Sequence, residues 1–369
     1  MFSSRSSRRR QRKIAFVLLQ EGRLGGLERR LMRLAAHLIG RGVPLTVFTS
    51  KAAFATIQDA GIRIDSGHVV FVDSALAARV LGARGALRLG LLGRVFPSLL
   101  SGRYRHVHLV HDPGNLSTLF ARLSSLIPPF SLTVADSRHS YGDEHLPPLV
   151  KAAAVDCLSE DIADHVRRHL PRLDGPAPSE SLVKVAPCSF ADYPAVIPPY
   201  ESRGIDVVFA ARFTTGKGLD LLERMEPLPT GISLHVLGQP ASGPDGFTPT
   251  VDGAEVYFAP NLPSVLGRAR VFLSLQDEEN YPSQSLLEAM SVGCAVVATD
   301  VGLTRQLVDE TTGLLIPRSP KALREAILRL TDDPDWAESL GAAGAVKVRA
   351  EHTIDRFADY FIDEVLTGS

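Results

Sequence analysis

Residues 273–300 read LSLQDEENYPSQSLLEAMSVGCAVVATD, and the succession of textures in this stretch decides the fold. An apolar run ends in a polar loop, Ser283, Gln284 and Ser285 open a helix, Gly293 stops it, and a second apolar run follows. Strand, loop, helix and strand in that order make one unit of a parallel sheet, because a parallel partner is reached only through a crossover connection, usually a helix.

The same unit recurs in both directions. KIAFVLL, VPLTVFTS, HVVFV, HVHLV, LTVAD and AVDCLS read as strands in the first half, and IDVVFAA, ISLHVLG, AEVYFAP, VFLSLQ and CAVVAT in the second. Helical periodicity fills the gaps between them. A Pro-rich span with little periodicity separates the halves and predicts a hinge at 191–204. The expected organisation is a basic arm (1–13), a first domain (14–190), the hinge, a second domain (205–350) and a C-terminal helix (351–369) that returns to the first domain. Doubly wound sheets bind ligands beyond the carboxyl ends of their strands. Four loops occupy such positions: 22–26, 111–115, 212–218 and 276–285.

Bulk properties narrow the function. The 369 residues are 45% hydrophobic and 22% charged, with a formal net charge of −1. That is a globular enzyme's composition, too long for one ordinary core, and its charge balance supplies no basic face for nucleic acid. Three widely spaced cysteines, Cys157, Cys188 and Cys294, suit buried thiols in a reducing, cytoplasmic setting rather than a disulfide framework. The first thirteen residues hold six Arg or Lys and no acid, but the apolar run after them is too short for a signal core. Arginines interrupt every Leu-rich segment before it reaches the length of a membrane span.

Two loops carry the chemistry. Ser283, Gln284 and Ser285 place unpaired backbone N–H groups and the positive end of a helix dipole where a phosphate can sit. Glu288, one turn further, can accept hydrogen bonds from a ribose diol. Ser283 or Ser285 capping the helix, with Glu288 complementing the dipole, would leave the same trace. In VVFAARFTTGKGLDLL, Arg212 and Lys217 follow a buried strand, and Gly216 and Gly218 let the backbone come close, as a diphosphate requires. A solvated loop is the alternative there.

With these residues in view the chain resembles the retaining GT-B glycosyltransferases often called glycosyltransferase family 4 or glycosyl transferases group 1. GRLGGLERRLMRLAAHLIGRGVPLTVFTS is similar to that group's Gly-Gly loop, AARFTTGKGLD to its Arg, four residues, Lys-Gly motif, and PSQSLLEAMSVGCAVVATDVG with TTGLLIP to its most specific portion. The resemblance implies two Rossmann-like doubly wound parallel-sheet domains facing across a cleft. It further implies a nucleotide-sugar donor contacted by Gly25, Gly26, His111, Arg212, Lys217, Glu279, Asn280, Tyr281, Pro282, Ser283, Gln284, Ser285 and Glu288, with Arg212, Lys217, Glu288 and Asn280 at the chemistry. In one respect the chain departs from the group. The first of two Glu spaced eight positions apart falls on Asn280, with Glu279 one position earlier; an Asn can bond a sugar hydroxyl but carries no charge. Asp112, beside His111, is a weaker candidate.

Cations and helix amides rather than paired carboxylates suit a departing nucleoside diphosphate better than glycosidase chemistry. By resemblance the anomeric configuration is retained. The Asp-x-Asp at Asp333 and Asp335 reads as the start of a surface helix, and Asp277 to Glu279 make a poor Mg²⁺ site, so the expectation is transfer with no metal and no cofactor. The acceptor is a glycan or a lipid-linked sugar. Residues 75–105 mix Leu with Arg84, Arg88, Arg94, Arg103 and Arg105, a pattern that fits either a membrane surface or an ordinary helix face whose Arg stems cover the core. Two rival readings are a nucleotide-sugar epimerase or related enzyme of the same fold, and a decayed binding or scaffold subunit of a sugar-polymer assembly.

Overall fold

The structure, a computed structural model, describes residues 12–19, 25–73, 75–110, 115–135, 146–170, 182–191, 193–194, 196–240, 246–259, 261–278, 281 and 283–367. The chain divides into two compact units, Met1–Pro187 with Ile354–Ser369, and Cys188–Thr353.

The first unit is built on a parallel sheet of β1 (Lys13–Leu18), β2 (Leu45–Thr49), β3 (Val69–Phe71), β4 (Tyr104–Leu109), β5 (Phe130–Val134), β6 (Ala154–Cys157) and β7 (Val183–Val185), in the order β3-β2-β1-β4-β5-β6-β7. The crossovers hold α1 (Gly26–Gly40), α2 (Lys51–Asp59), α3 (Ala75–Gly90), α4 (Phe96–Leu100), α5 (Asn115–Arg122), α6 (Leu146–Lys151) and α7 (Glu160–His169). β2 and β5 are buried at every position, as strands covered on both faces must be, which is why they read as continuous apolar runs. α1 buries Leu31, Leu34, Ala35 and Leu38, the helical stripe that seats it on the sheet.

The second unit repeats the plan with β8 (Ile205–Ala210), β9 (Leu234–Leu237), β10 (Ala254–Tyr257), β11 (Ala269–Ser274), β12 (Ala295–Thr299) and β13 (Gly313–Ile316), in the order β10-β9-β8-β11-β12-β13. Its helices are α8 (Leu219–Glu223), α9 (Leu262–Leu266), α10 (Gln284–Ser291), α11 (Pro320–Asp332) and α12 (Pro334–Glu351). Strand alternation sends Val207, Phe209, Val271, Leu273, Ala295 and Val297 into one core, and Val208, Ala210, Phe272, Val296 and Ala298 into another on the opposite face. β7 and β13 are strands beyond the sequence expectation.

Within 191–204, the span expected to be a hinge, Arg203 is buried and its guanidinium donates to the carbonyls of Ala269 (2.9 Å), Gly293 (2.8 Å) and Val292 (2.6 Å). The chain changes unit at 187–188, ahead of that span, and again at 353–354. The last helix, α13 (Ile354–Tyr360), and the turn of π-helix after it (Phe361–Leu366) count with the first unit. There the Tyr360 hydroxyl donates to Asp156 (2.8 Å), and Phe361 packs on Phe16 and His108.

In each sheet the chain winds outward one way and then starts again beside its first strand. The switch points lie between β1 and β4, and between β8 and β11. The four loops singled out in the sequence follow these four strands.

Candidate functional site

At the second switch point, β8 and β11 run side by side with Phe209 opposite Leu273, so the loops at their carboxyl ends emerge together. They are knitted by three contacts. Gly216 O accepts a hydrogen bond from Asp277 N at 3.2 Å. The Lys217 ammonium donates to Gln276 Oε1 at 3.0 Å. Gly218, with φ +76°, lies so close to β11 that a Cβ there would be 1.8 Å from Leu275 O. Only glycine meets both the left-handed backbone and that approach.

Gln276 is itself fixed from below, its carbonyl accepting from Thr299 Oγ1 at 2.6 Å. Arg318, just past β13, clamps the pair of loops from the side. Its Nε donates to Asp277 at 2.9 Å and its Nη2 to Asp220 at 2.6 Å, and Asp220 lies in α8, immediately after Lys217 and Gly218. The bidentate pull of two carboxylates holds the Arg318 guanidinium above its ordinary range, hydrogen bonding to Asp277 being the first cause. Arg212 stands exposed at the root of the β8 loop and engages no carboxylate among the described residues.

The helix after the β11 loop begins where the sequence placed it. Ser283 is the residue before α10, with extended φ/ψ, and its side chain caps no helix amide; its Oγ lies 3.2 Å from Ser285 Oγ. The Ser283 side chain therefore leaves the first helix amides to other partners, and the α10 dipole adds positive potential at the spot. Glu288 is buried one turn inside. Burial is the main cause that holds the nearby Tyr193 phenol well above its usual range. Tyr281 is half-buried against the core that includes Met290. Gln284 is turned elsewhere: its amide donates to Phe190 O (3.0 Å) and Ser189 Oγ (3.3 Å), tying the helix start to the chain that leads into this unit.

In the first unit, Gly26 opens α1, and the Gly25 amide is taken by the helix's own Glu28, whose carboxylate accepts it at 2.8 Å. His111, Asp112, Glu279, Asn280 and Pro282 lie outside the described residues, as does most of the basic arm. Among the described residues no group of three or more His, Cys, Asp or Glu gathers as cation ligands, and no helix is long and apolar enough to cross a membrane. Asp333 caps α12, accepting from Trp336 N at 3.0 Å, as its Asp-Pro context suggested. All three cysteines are free and buried, and burial lifts the Cys294 thiol to about 12.

Two residues that position the site, Gln276 and Arg318, had no assigned role in the sequence. Gln276 closes the apolar run VFLSLQ, and a polar end on a buried strand was its signal. Arg318 follows TTGLLIP, a cation at the end of a strand that was not read as one.

Comparison with known proteins supports the same half of the chain. Residues 204–333 match the profile of the family described as Glycosyl transferases group 1, about a third of the length. A search of curated proteins found no match. Among solved structures, Anabaena Alr3699/HepE in complex with UDP and glucose superposes with a TM-score of 0.69 at 15% identity, over 96% of this chain and 100% of that one. Sucrose-phosphate synthase (tll1590) from Thermosynechococcus elongatus gives 0.70 at 18% identity, over 97% and 100%. A glycosyltransferase from Rickettsia africae ESF-5 gives 0.70 at 14%, over 97% and 99%. The fold is GT-B: two Rossmann-like parallel-sheet units, each wound about its own switch point.

Proposed function

We propose that this chain is a retaining glycosyltransferase that moves a sugar from a UDP- or GDP-sugar to a glycan or lipid-linked acceptor, in glycan, glycolipid or polysaccharide biosynthesis. The observation that carries this reading is the Lys217 ammonium held 3.0 Å from Gln276 at the switch point of the second sheet, in the loop that also bears Arg212 and beside the loop that leads to the amino end of α10. Positive charge on two side chains and a row of helix amides suit a diphosphate, and little else at a strand end requires all three. The match of residues 204–333 and the UDP and UDP-glucose named for the Anabaena structures are in keeping with it.

In this mechanism the bond between the sugar C1 and the β-phosphate oxygen breaks while C1 bonds the acceptor oxygen, and the acceptor proton passes to the departing phosphate. Lys217 and Arg212 neutralise charge that grows on the phosphate as C1 leaves, which is where stabilisation accelerates the step. Glu288 accepts from the ribose hydroxyls, and Asn280 contacts the sugar without charge. Transfer is metal-independent, since Asp277 is committed to Arg318 and Asp333 to a helix cap. The free, buried thiols suit a cytoplasmic setting.

The test is product analysis with UDP-glucose, UDP-N-acetylglucosamine and GDP-mannose against a panel of sugar and polyprenyl-phosphate-sugar acceptors. Acceptor-dependent release of nucleoside diphosphate, with an anomeric proton signal matching the donor's configuration, is the expected result. An inverted product would remove retention, an isomerised donor would favour an epimerase, and binding without turnover would favour a scaffold.

A further inference from the structure

The first unit carries a cationic hollow remote in sequence from the residues discussed above. Between Asp73 and Asp112 the chain has six arginines and no acidic residue. α3, a turn of π-helix (Leu91–Val95) and α4 follow one another there. Beyond a non-helical break at Gly82, the helical stretch buries Leu91, Val95, Phe96 and Leu99 while its outer side presents Leu89, Leu92 and Leu100, each more than half exposed at 53, 61 and 56%. Gly93 and Pro97 are exposed between them. Helical spacing alone would bury such leucines; here the sheet side is already filled, and a second apolar stripe faces outward.

A shallow cavity of about 400 Å³ opens beside that stripe, lined by Val70, Gly93, Arg94, Pro97, Ser98, Ser101 and Arg103. Its charged lining is wholly cationic. Arg94 is oriented by one bond, Nη1 to Phe71 O at 2.7 Å, which leaves the rest of its fork available. The Arg103 side chain is exposed and engages no carboxylate among the described residues. Two guanidinium groups and two hydroxyl-bearing side chains around a hollow suit a phosphate oxygen set, and the exposed Leu92 and Leu100, next in chain to its lining residues Gly93 and Ser101, suit the acyl layer beneath a headgroup.

From this juxtaposition we infer that the α3–α4 face of the first unit docks on an anionic membrane surface, with a lipid phosphate between Arg94 and Arg103 and with Leu89, Leu92 and Leu100 entering the headgroup–acyl boundary. The charge of the face selects this occupant over a second copy of the chain, whose identical cationic face would repel it. The inference stands independently of the transfer reading, because none of these residues belongs to the nucleotide site.

Sedimentation of the full chain with vesicles tests it. The chain pellets with phosphatidylcholine vesicles containing phosphatidylglycerol, stays in solution with phosphatidylcholine alone, and is released by raised salt. Leu92→Ser with Leu100→Ser lowers the partition coefficient by at least about tenfold, and Arg103→Gln lowers it about fivefold. All three positions are exposed, so far-ultraviolet circular dichroism and nucleoside diphosphate binding stay unchanged. If both variants pellet like the unaltered chain, another part of the molecule is responsible and the inference fails. It also fails if inorganic phosphate binds in an Arg103-dependent way while vesicles do not, because the cavity then serves a free anion.

Discussion

Lys217 illustrates how much a single side chain can decide. Its ammonium is half-withdrawn from solvent and fixed by Gln276, so in the proposed reaction it would meet a developing phosphate charge without first being reoriented. An opposite charge at 4 Å is worth about 4 kcal/mol at an effective dielectric near 20. Lys217→Ala is expected to lower kcat on the order of a hundredfold or more with the fold intact, checked by steady-state rates beside a thermal melt. His106 in the first unit offers a different residue-scale test. It is buried against Ser131 Oγ (2.8 Å), and desolvation, helped by Arg105, depresses its pKa to about 4. Between that value and the ordinary 6.5 the unfolded chain takes a proton that the folded one refuses, so stability falls as pH drops through this window. Urea titrations at pH 7 and pH 5 should show the unaltered chain losing about 2 kcal/mol more than His106→Gln; equal losses would clear His106. At this scale the positions of Arg212 and Lys217 after a buried strand, and of Ser283 just before a helix, were legible in the sequence pattern. Gln284 was not, since a sequence gives a side chain's type and position but not its direction, and the amide turns to Ser189 and Phe190. Arg318 escaped notice because its partners, Asp277 and Asp220, are far from it in sequence.

Elements set these residues in place. The loops after β8 and β11 meet because the strands are neighbours, and Gly218 lets them touch. Gly218→Ala would force a Cβ into Leu275 O and strain a left-handed backbone, so it should cost about 1–3 kcal/mol and reduce turnover together with stability, read by urea unfolding and by kcat. A variant of full stability and full activity would mean that the loops do not depend on their contact. Arg203 closes the other end of α10 by holding the carbonyls of Val292 and Gly293, so the helix whose amino end faces the site is braced at its carboxyl end. Eleven of the strands were visible as apolar runs in the sequence. β7 was not, because VKV is three residues long and half-buried. β13 was not, because GLLI sits behind Thr-Thr-Gly with two of its four residues only partly buried. Short edge strands receive their pairing from a neighbour rather than from their own pattern.

The whole molecule repeats one device twice: a sheet wound from its middle, so that two neighbouring strands mark the point where the winding reverses. That much follows from the alternation of strands and helices. The return of the C-terminus to the first unit was only permitted by the sequence; in the structure Phe361 and Leu366 are buried there and a buried polar contact joins them. Tyr360 donates to Asp156 at 2.8 Å and Thr133 donates to its other oxygen at 2.7 Å. Burial pushes the Asp156 carboxyl up, and those two bonds and the charge of Arg30 oppose that shift. Tyr360→Phe should therefore cost the first unit about 2 kcal/mol and leave nucleotide binding by the second unchanged, checked by urea unfolding and by titration with UDP. The most direct measurement of the central claim is calorimetric titration of UDP and GDP, with uridine and guanosine as controls, into the unaltered chain and into Arg212→Ala with Lys217→Ala. A diphosphate is expected to bind far more tightly than its nucleoside, and the double variant to lose most of that difference. A difference that survives in the folded double variant would contradict that claim.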